Sequence, residues 1–104
     1  MSEWKKQTGI NPRTRTRVME RDGYQCVLCW DTYGLQCTHV VPRSRGGKGV
    51  ETNLVTLCAV CHDRYDFTVR RKQMREEIVD YLTDIYGEWD EEEQIFHKYE
   101  QEDF

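Results

Sequence analysis

Two Cys-x-x-Cys pairs carry the plainest chemistry in this chain: Cys26 with Cys29, then, after 28 intervening residues, Cys58 with Cys61. Each pair offers two thiolates from one tight turn, and two such turns close a tetrahedral shell around a zinc ion at about 2.3 Å, with no position left for substrate. An ion held in this way is structural, and its binding free energy, on the order of 10 kcal/mol in small zinc peptides, becomes folding free energy. His62 follows the second pair directly, so the stretch "CAVCH" also spells the C-x-x-C-H attachment signature of a c-type haem. Haem leaves Cys26 and Cys29 without a use, and a thioredoxin-like redox pair lacks the βαβ pattern that would carry it. Zinc uses all four. Cys37 has no partner at ligand spacing and reads as a small buried apolar residue on a strand.

With the thiolates on zinc, His62 must point elsewhere from the start of a helix. Two further residues join it: His39, just before a Gly-rich loop, and Asn53, where the chain returns from that loop. Taken singly, a strand histidine and a turn asparagine have structural uses. A strand, a loop, a second strand and a helix would bring all three together. His97 reads as a surface residue.

The elements that must position these groups are short. Residues 1–12 lack periodicity and end in Asn11-Pro12, a flexible leader. Thr14 to Arg21 reads as a helix closed by Asp22-Gly23, and "YQCVLCW" as a tight turn. Leu35 to Val41 alternates as a strand and stops at Pro42, "PRSRGGKG" is a cationic loop, and Val50 to Leu57 returns as a second extended segment. A helix starts at Ala59. From Arg70, the residues Met74, Ile78, Tyr81, Leu82, Ile85 and Tyr86 make an amphipathic stripe, with Gly87 as its C-cap. Asp90 and Glu93 read as an N-cap and capping-box partner for a last short helix with Ile95, Phe96 and Tyr99 on one side. The domain reading is a leader (1–12), a zinc-knuckle core (13–69) and a helical extension with an acidic tail (70–104).

A chain of 104 residues is one domain with a small core, because only about 60 to 70% of so short a chain's unfolded surface is buried on folding. The net charge of -4 hides an asymmetry: residues 1–87 hold 14 of the 15 Lys and Arg but 11 of the 19 Asp and Glu. The body is therefore mildly basic, which leaves nucleic acid open as a partner. The sequence contains no apolar run near the roughly 20 residues that span a membrane. Met1 to Lys6 lacks a hydrophobic signal segment. The expected compartment is a reducing cytoplasm, where cysteine pairs bind metal rather than form disulfides.

The stretches "RVMERDGYQCVLCW", "LQCTHVVPRSRGG", "NLVTLC" and "CAVCHDRY" together resemble the HNH endonucleases of the ββα-metal superfamily, of the zinc-stapled kind common in phages and prophages. The resemblance covers about residues 13 to 66. It implies an α+β fold, a small ββα-metal finger with a four-cysteine zinc site and added N- and C-terminal helices. It implies that His39 is the general base, that Asn53 orients it and that His62 binds a catalytic divalent ion, Mg²⁺ or another, while Cys26, Cys29, Cys58 and Cys61 hold structural zinc. The implied reaction is hydrolysis of double-stranded DNA, by nicking or double-strand cutting, leaving a 3′ hydroxyl and a 5′ phosphate. An imidazole with a pKa near 6.5 suits deprotonation of water at neutral pH. A divalent ion suits the charge that builds on the phosphoryl and leaving oxygens. Arg43, Arg45 and Lys48 on the loop, with Arg13, Arg15 and Arg17 ahead of the first knuckle, are the expected phosphate contacts, which position DNA without reading sequence. Phage packaging or recombination proteins are the partners such a protein would meet in a bacterial or phage-infected cell.

One position departs from the family pattern. Most members carry Asp, Glu or His directly before the first histidine, as second protein ligand of the catalytic ion, and this chain has Thr38. A neutral hydroxyl is a poor ligand for a divalent ion. Three explanations are open: weak affinity rescued by substrate phosphates, an oxygen from Asp63 or another nearby acid, or a catalytically weakened zinc module that binds DNA or protein.

Overall fold

A computed structural model describes residues 3–67 and 69–97, Phe67 through its backbone alone. Its centre is a two-stranded antiparallel sheet, β1 (Gln36–His39) and β2 (Leu54–Leu57), paired Gln36 with Leu57 through His39 with Leu54. Side chains of a strand alternate between faces. Cys37 and Leu54 pack with Val18 on one face, and Val40, Val55 and Leu57 join Tyr65, Ile78 and Leu82 on the other. The sheet thus lies between α2 (Pro12–Arg21) and the pair α3 (Ala59–Phe67) and α4 (Arg71–Tyr86). The result is a small α+β domain.

Local chemistry explains the boundaries. Asn11 caps α2 by accepting a hydrogen bond from the Arg13 amide, and Pro12 sits in the first turn, where its missing N–H costs nothing. Gly87 ends α4. Met74, Ile78 and Leu82 are the buried stripe of α4, whereas Ile85 and Tyr86, read as part of it, are 42% and 39% exposed. The β1 strand is shorter than its alternation suggests because Pro42 and a 3₁₀ turn at Arg43–Arg45 follow. The second extended segment opens with another 3₁₀ turn, Glu51–Asn53, before β2.

Arg21 ties α2 to the sheet. Its guanidinium donates to both oxygens of Asp22 and to the carbonyls of Glu51 and Leu54, and Tyr86 stacks against it. Asp22, 6% exposed, also accepts from the Thr56 amide and the Tyr81 hydroxyl. A buried carboxylate is tolerated because every oxygen is engaged.

Both ends differ from the sequence reading. Residues 3–8, expected to lie in an aperiodic leader, form a short helix, α1 (Glu3–Thr8), whose last residue is fully buried. The last helix expected after Asp90 is instead a 3₁₀ turn at Glu92–Gln94. The Asp90 carboxylate does accept from the Glu92 amide, but Ile95 then bridges Gly47 and the Phe96 amide donates to Gly46. Backbone pairing with the loop edge competes with helix continuation and wins, since buried amides need partners. Gly46 permits this packing: a Cβ there would stand 2.7 Å from the Phe96 carbonyl oxygen. Tyr99 lies outside the described residues.

Candidate functional site

The cysteine pairs converge. Cys26, Cys29, Cys58 and Cys61 place their sulfurs within 4.8 Å of one another, and all four are free thiols. Two turns build the cluster. In the first, the Cys26 amide donates to Asp31 and the Trp30 amide to Cys26; in the second, Cys58 precedes α3 and its sulfur accepts from the Cys61 amide. Burial pushes the Cys26 thiol up, but the backbone amides of Cys58, Cys29 and Leu28 outweigh it and bring it to about 7. Burial and the three neighbouring thiols push Cys61 up. Four sulfurs this close cannot all ionise without a cation among them, so the donor set fits a thiolate-bound divalent ion. Cys37 stands apart on β1, 9% exposed, its thiol pushed up to about 11 by burial. It is a packing residue.

A second cluster lies across the sheet end and α3. Cys37, Thr38, His39, Pro42, Arg43, His62 and Asp66 line one open pocket of about 180 Å³. β1 delivers Thr38 and His39, and α3 delivers His62 and, one turn later, Asp66 on the same helix face. His62 Nε2 stands 3.7 Å from Asp66 Oδ2. Two atoms each about 2.1 Å from a shared octahedral ion lie about 3.0 Å apart in cis and about 4.2 Å in trans, so this separation admits a common ion. Thr38, 5% exposed, turns its hydroxyl toward the Gln36 carbonyl at 3.4 Å. Asp63, one of the acids considered for the missing ligand, is exposed and does not line the pocket. Asp66 was the residue not singled out in sequence, although its spacing of four from His62 is the signal that finds it.

His39 is half-buried, with Nε2 2.8 Å from the carbonyl oxygen of Thr8. Burial holds its pKa below the usual imidazole value, the Thr8 carbonyl works the other way, and the charge of Arg43 lowers it further. Burial and the Arg43 charge thus both favour the neutral ring.

Asn53 does not enter the pocket. It is fully buried beneath the loop, where Oδ1 accepts from the Val41 amide at 2.8 Å and Nδ2 donates to the carbonyls of Val41 (3.2 Å) and Lys48 (2.9 Å). Its own carbonyl accepts from the Val40 amide. One side chain thus closes the loop from Val41 to Lys48 at both ends.

The candidate phosphate-binding cations divide. Arg43 lines the pocket, and Arg13 and Arg15 are exposed on α2. Arg17 pairs with Glu51 at 2.9 Å, Arg45 faces Glu91 at 3.6 Å, and Lys48 Nζ donates to the Glu93 carbonyl. His97 contacts Glu92 at 3.0 Å on the surface.

Comparison with known proteins adds two findings. The sequence model of the HNH endonuclease family matches residues 26–67, a span that contains both clusters. Anaredoxin of Nostoc sp. (strain PCC 7120 / SAG 25.82 / UTEX 2576) is 33% identical over 54 residues, which cover 51% of this chain and 71% of that protein.

Proposed function

The chain belongs to the HNH endonuclease family, and on that premise we propose that it is a metal-dependent endonuclease hydrolysing DNA phosphodiester bonds, with weak sequence specificity. The observation that carries this reading is the shared pocket of His39, Arg43, His62 and Asp66: a neutral imidazole, a cation and two divalent-metal donors around one space. His39 would take the proton of the attacking water, a task for which a neutral ring is required. His62 and Asp66 would hold the divalent ion, Asp66 standing in for the acid that Thr38 does not supply. When bound, such an ion supplies Lewis-acid stabilisation of the charge developing on the phosphoryl and leaving oxygens. Arg43 would hold the phosphate, and Arg13 and Arg15 would reach the flanking backbone. Asn53 acts at a distance by closing the loop between His39 and the returning strand. Zinc on the four cysteines would staple the strand end and α3 together.

Plasmid cleavage across Mg²⁺, Mn²⁺, Ni²⁺ and Zn²⁺ tests the proposal. Supercoiled DNA should be nicked or linearised with at least one metal, and His39→Ala and His62→Ala should each cut about 10² to 10⁴-fold more slowly, the range for loss of a general base. Intact plasmid with every metal, or parental rates in the His39 variant, would overturn it.

A further inference from the structure

The contact between His39 and Thr8 joins the pocket to a segment outside the region that the family model matches. Thr8 is the last residue of α1, where a helix leaves its final carbonyls without intrahelical partners. It is fully buried, so that carbonyl needs a donor, and His39 Nε2 lies 2.8 Å away. A carbonyl oxygen only accepts. Nε2 must therefore carry the proton, which leaves the Nδ1 lone pair as the basic atom of the neutral ring.

The segment is fixed at several independent points. The Gly49 amide donates to the Gln7 carbonyl at 3.0 Å, and Arg43 Nε approaches the Thr8 hydroxyl at 3.4 Å. Trp4 meets Phe96 edge to face, with ring centroids 6.3 Å apart. The chain crossing at Gly49 is tight: a Cβ there would stand 2.0 Å from the Gly9 carbonyl oxygen and 3.2 Å from that of Thr8. The crossing thus has no room for a side chain, and it lies on the same Gly-rich loop that Asn53 closes.

We propose that the docked N-terminal segment is part of the active site, and that the backbone carbonyl of Thr8 is the positioning group that fixes the ring orientation and tautomer of His39. The catalytic consequence rests on the nuclease reading. The tautomer does not, since it is a property of the folded protein alone.

The experiment pairs two readouts on the zinc-loaded full chain. Long-range ¹H–¹⁵N correlation should find the His39 ring of the parent in a single Nε2–H tautomer at neutral pH. Gly49→Ala, which drives a methyl into the crossing, and Trp4→Ala, which removes the distant anchor, should each convert it to a mixture. Thr8→Val keeps the carbonyl and the Gly49 and Trp4 anchors, losing only the 3.4 Å contact with Arg43 and the hydroxyl's bond to the Trp4 carbonyl within α1, and should retain the parent's ring. In plasmid cleavage the first two variants should lose about 10 to 100-fold in kcat with KM and zinc content unchanged, the loss expected when a reacting group is misplaced by about 1 Å. An Nδ1–H ring in the parent would overturn the proposal, as would a single Nε2–H ring or parental kcat in both displacing variants. A parent that cuts no DNA but shows the Nε2–H ring, lost in those variants, supports the contact and removes the nuclease reading alone.

Discussion

Replacing Asn53 by Asp changes almost no volume and reverses the sense of two hydrogen bonds. In the parent, one side-chain oxygen accepts from the Val41 amide while Nδ2 donates to the carbonyls of Val41 and Lys48, all in a fully buried site. An aspartate keeps the first bond and turns its second oxygen toward two carbonyl oxygens. Protonated, it can still donate to one of them, so the loss is about 1 kcal/mol, one net hydrogen bond. Ionised, it is a buried charge facing two acceptors, and it responds by holding its proton, with a folded pKa raised about 3 units above the unfolded value of about 3.9. A group whose folded pKa is raised contributes stability below its unfolded pKa and loses it as pH rises through the folded pKa. The gap between parent and Asn53→Asp should therefore widen by about 1.4 kcal/mol per pH unit up to about pH 7, reaching about 5 kcal/mol in total. That is comparable with the whole stability of a marginal domain, about 5 to 15 kcal/mol. Thermal unfolding of both zinc-loaded proteins at pH 5.5 and pH 7 should show the Tm difference growing by about 8 to 16 °C, at about 4 to 8 °C per kcal/mol. A Tm difference that is the same at both pH values would refute the assignment of the Asn53 amide to two carbonyls.

Further outcomes follow from the cysteine cluster, from the pocket of Thr38, His62 and Asp66, and from His39. The purified protein should hold one tightly bound zinc without a haem absorption band. Cys58→Ser or strong chelation should release the metal together with the helical signal in circular dichroism, because metal binding here is folding free energy. Asp66→Ala should raise the half-saturating concentration of the catalytic ion at least about tenfold, the loss that even an outer partner of a metal ligand brings. Asp63→Ala should leave it unchanged, and equal effects at the two positions would refute the pocket assignment. Thr38→Asp adds an anionic donor to the same pocket and should lower the metal concentration required; no change would mean that Thr38 does not face the ion. Burial first, and Arg43 second, keep the His39 pKa below 6.5. The acid limb of kcat should accordingly lie below pH 6.5, with activity level through neutrality. An acid limb centred above pH 7 would exclude His39 as the base in this environment.

How much of this architecture can be read from sequence depends on how far apart the interacting residues are. The zinc cluster is legible because each half is a local turn with two ligands three residues apart, and only the meeting of two halves is long-range. The stripe of α4 is legible through its period, though only as far as a neighbour exists to cover it: Met74, Ile78 and Leu82 are buried, and beyond them Ile85 and Tyr86 extend past the packed face. Asp66 carried a readable signal, since a residue four after His62 on a helix shares its face. The acid beside His62 in sequence drew the reading instead, and adjacent residues on a helix do not face each other.

The two ends were illegible for a different reason. Local signals at Asp90 and Glu93 do start a turn, but they cannot report that Gly46 and Gly47 offer backbone partners to Ile95 and Phe96 from half a chain away. Likewise α1, six residues long, is below the length at which a helix is stable by propensity alone. Its partners are Gly49, Arg43, His39 and Phe96, every one more than 30 positions downstream. A helix of that kind exists only because the loop it docks on exists. The dependence is mutual at one atom: the Thr8 carbonyl is satisfied by His39, and the His39 ring is oriented by Thr8. A sequence pattern confined to residues 26–67 contains the histidine but not the group that aims it.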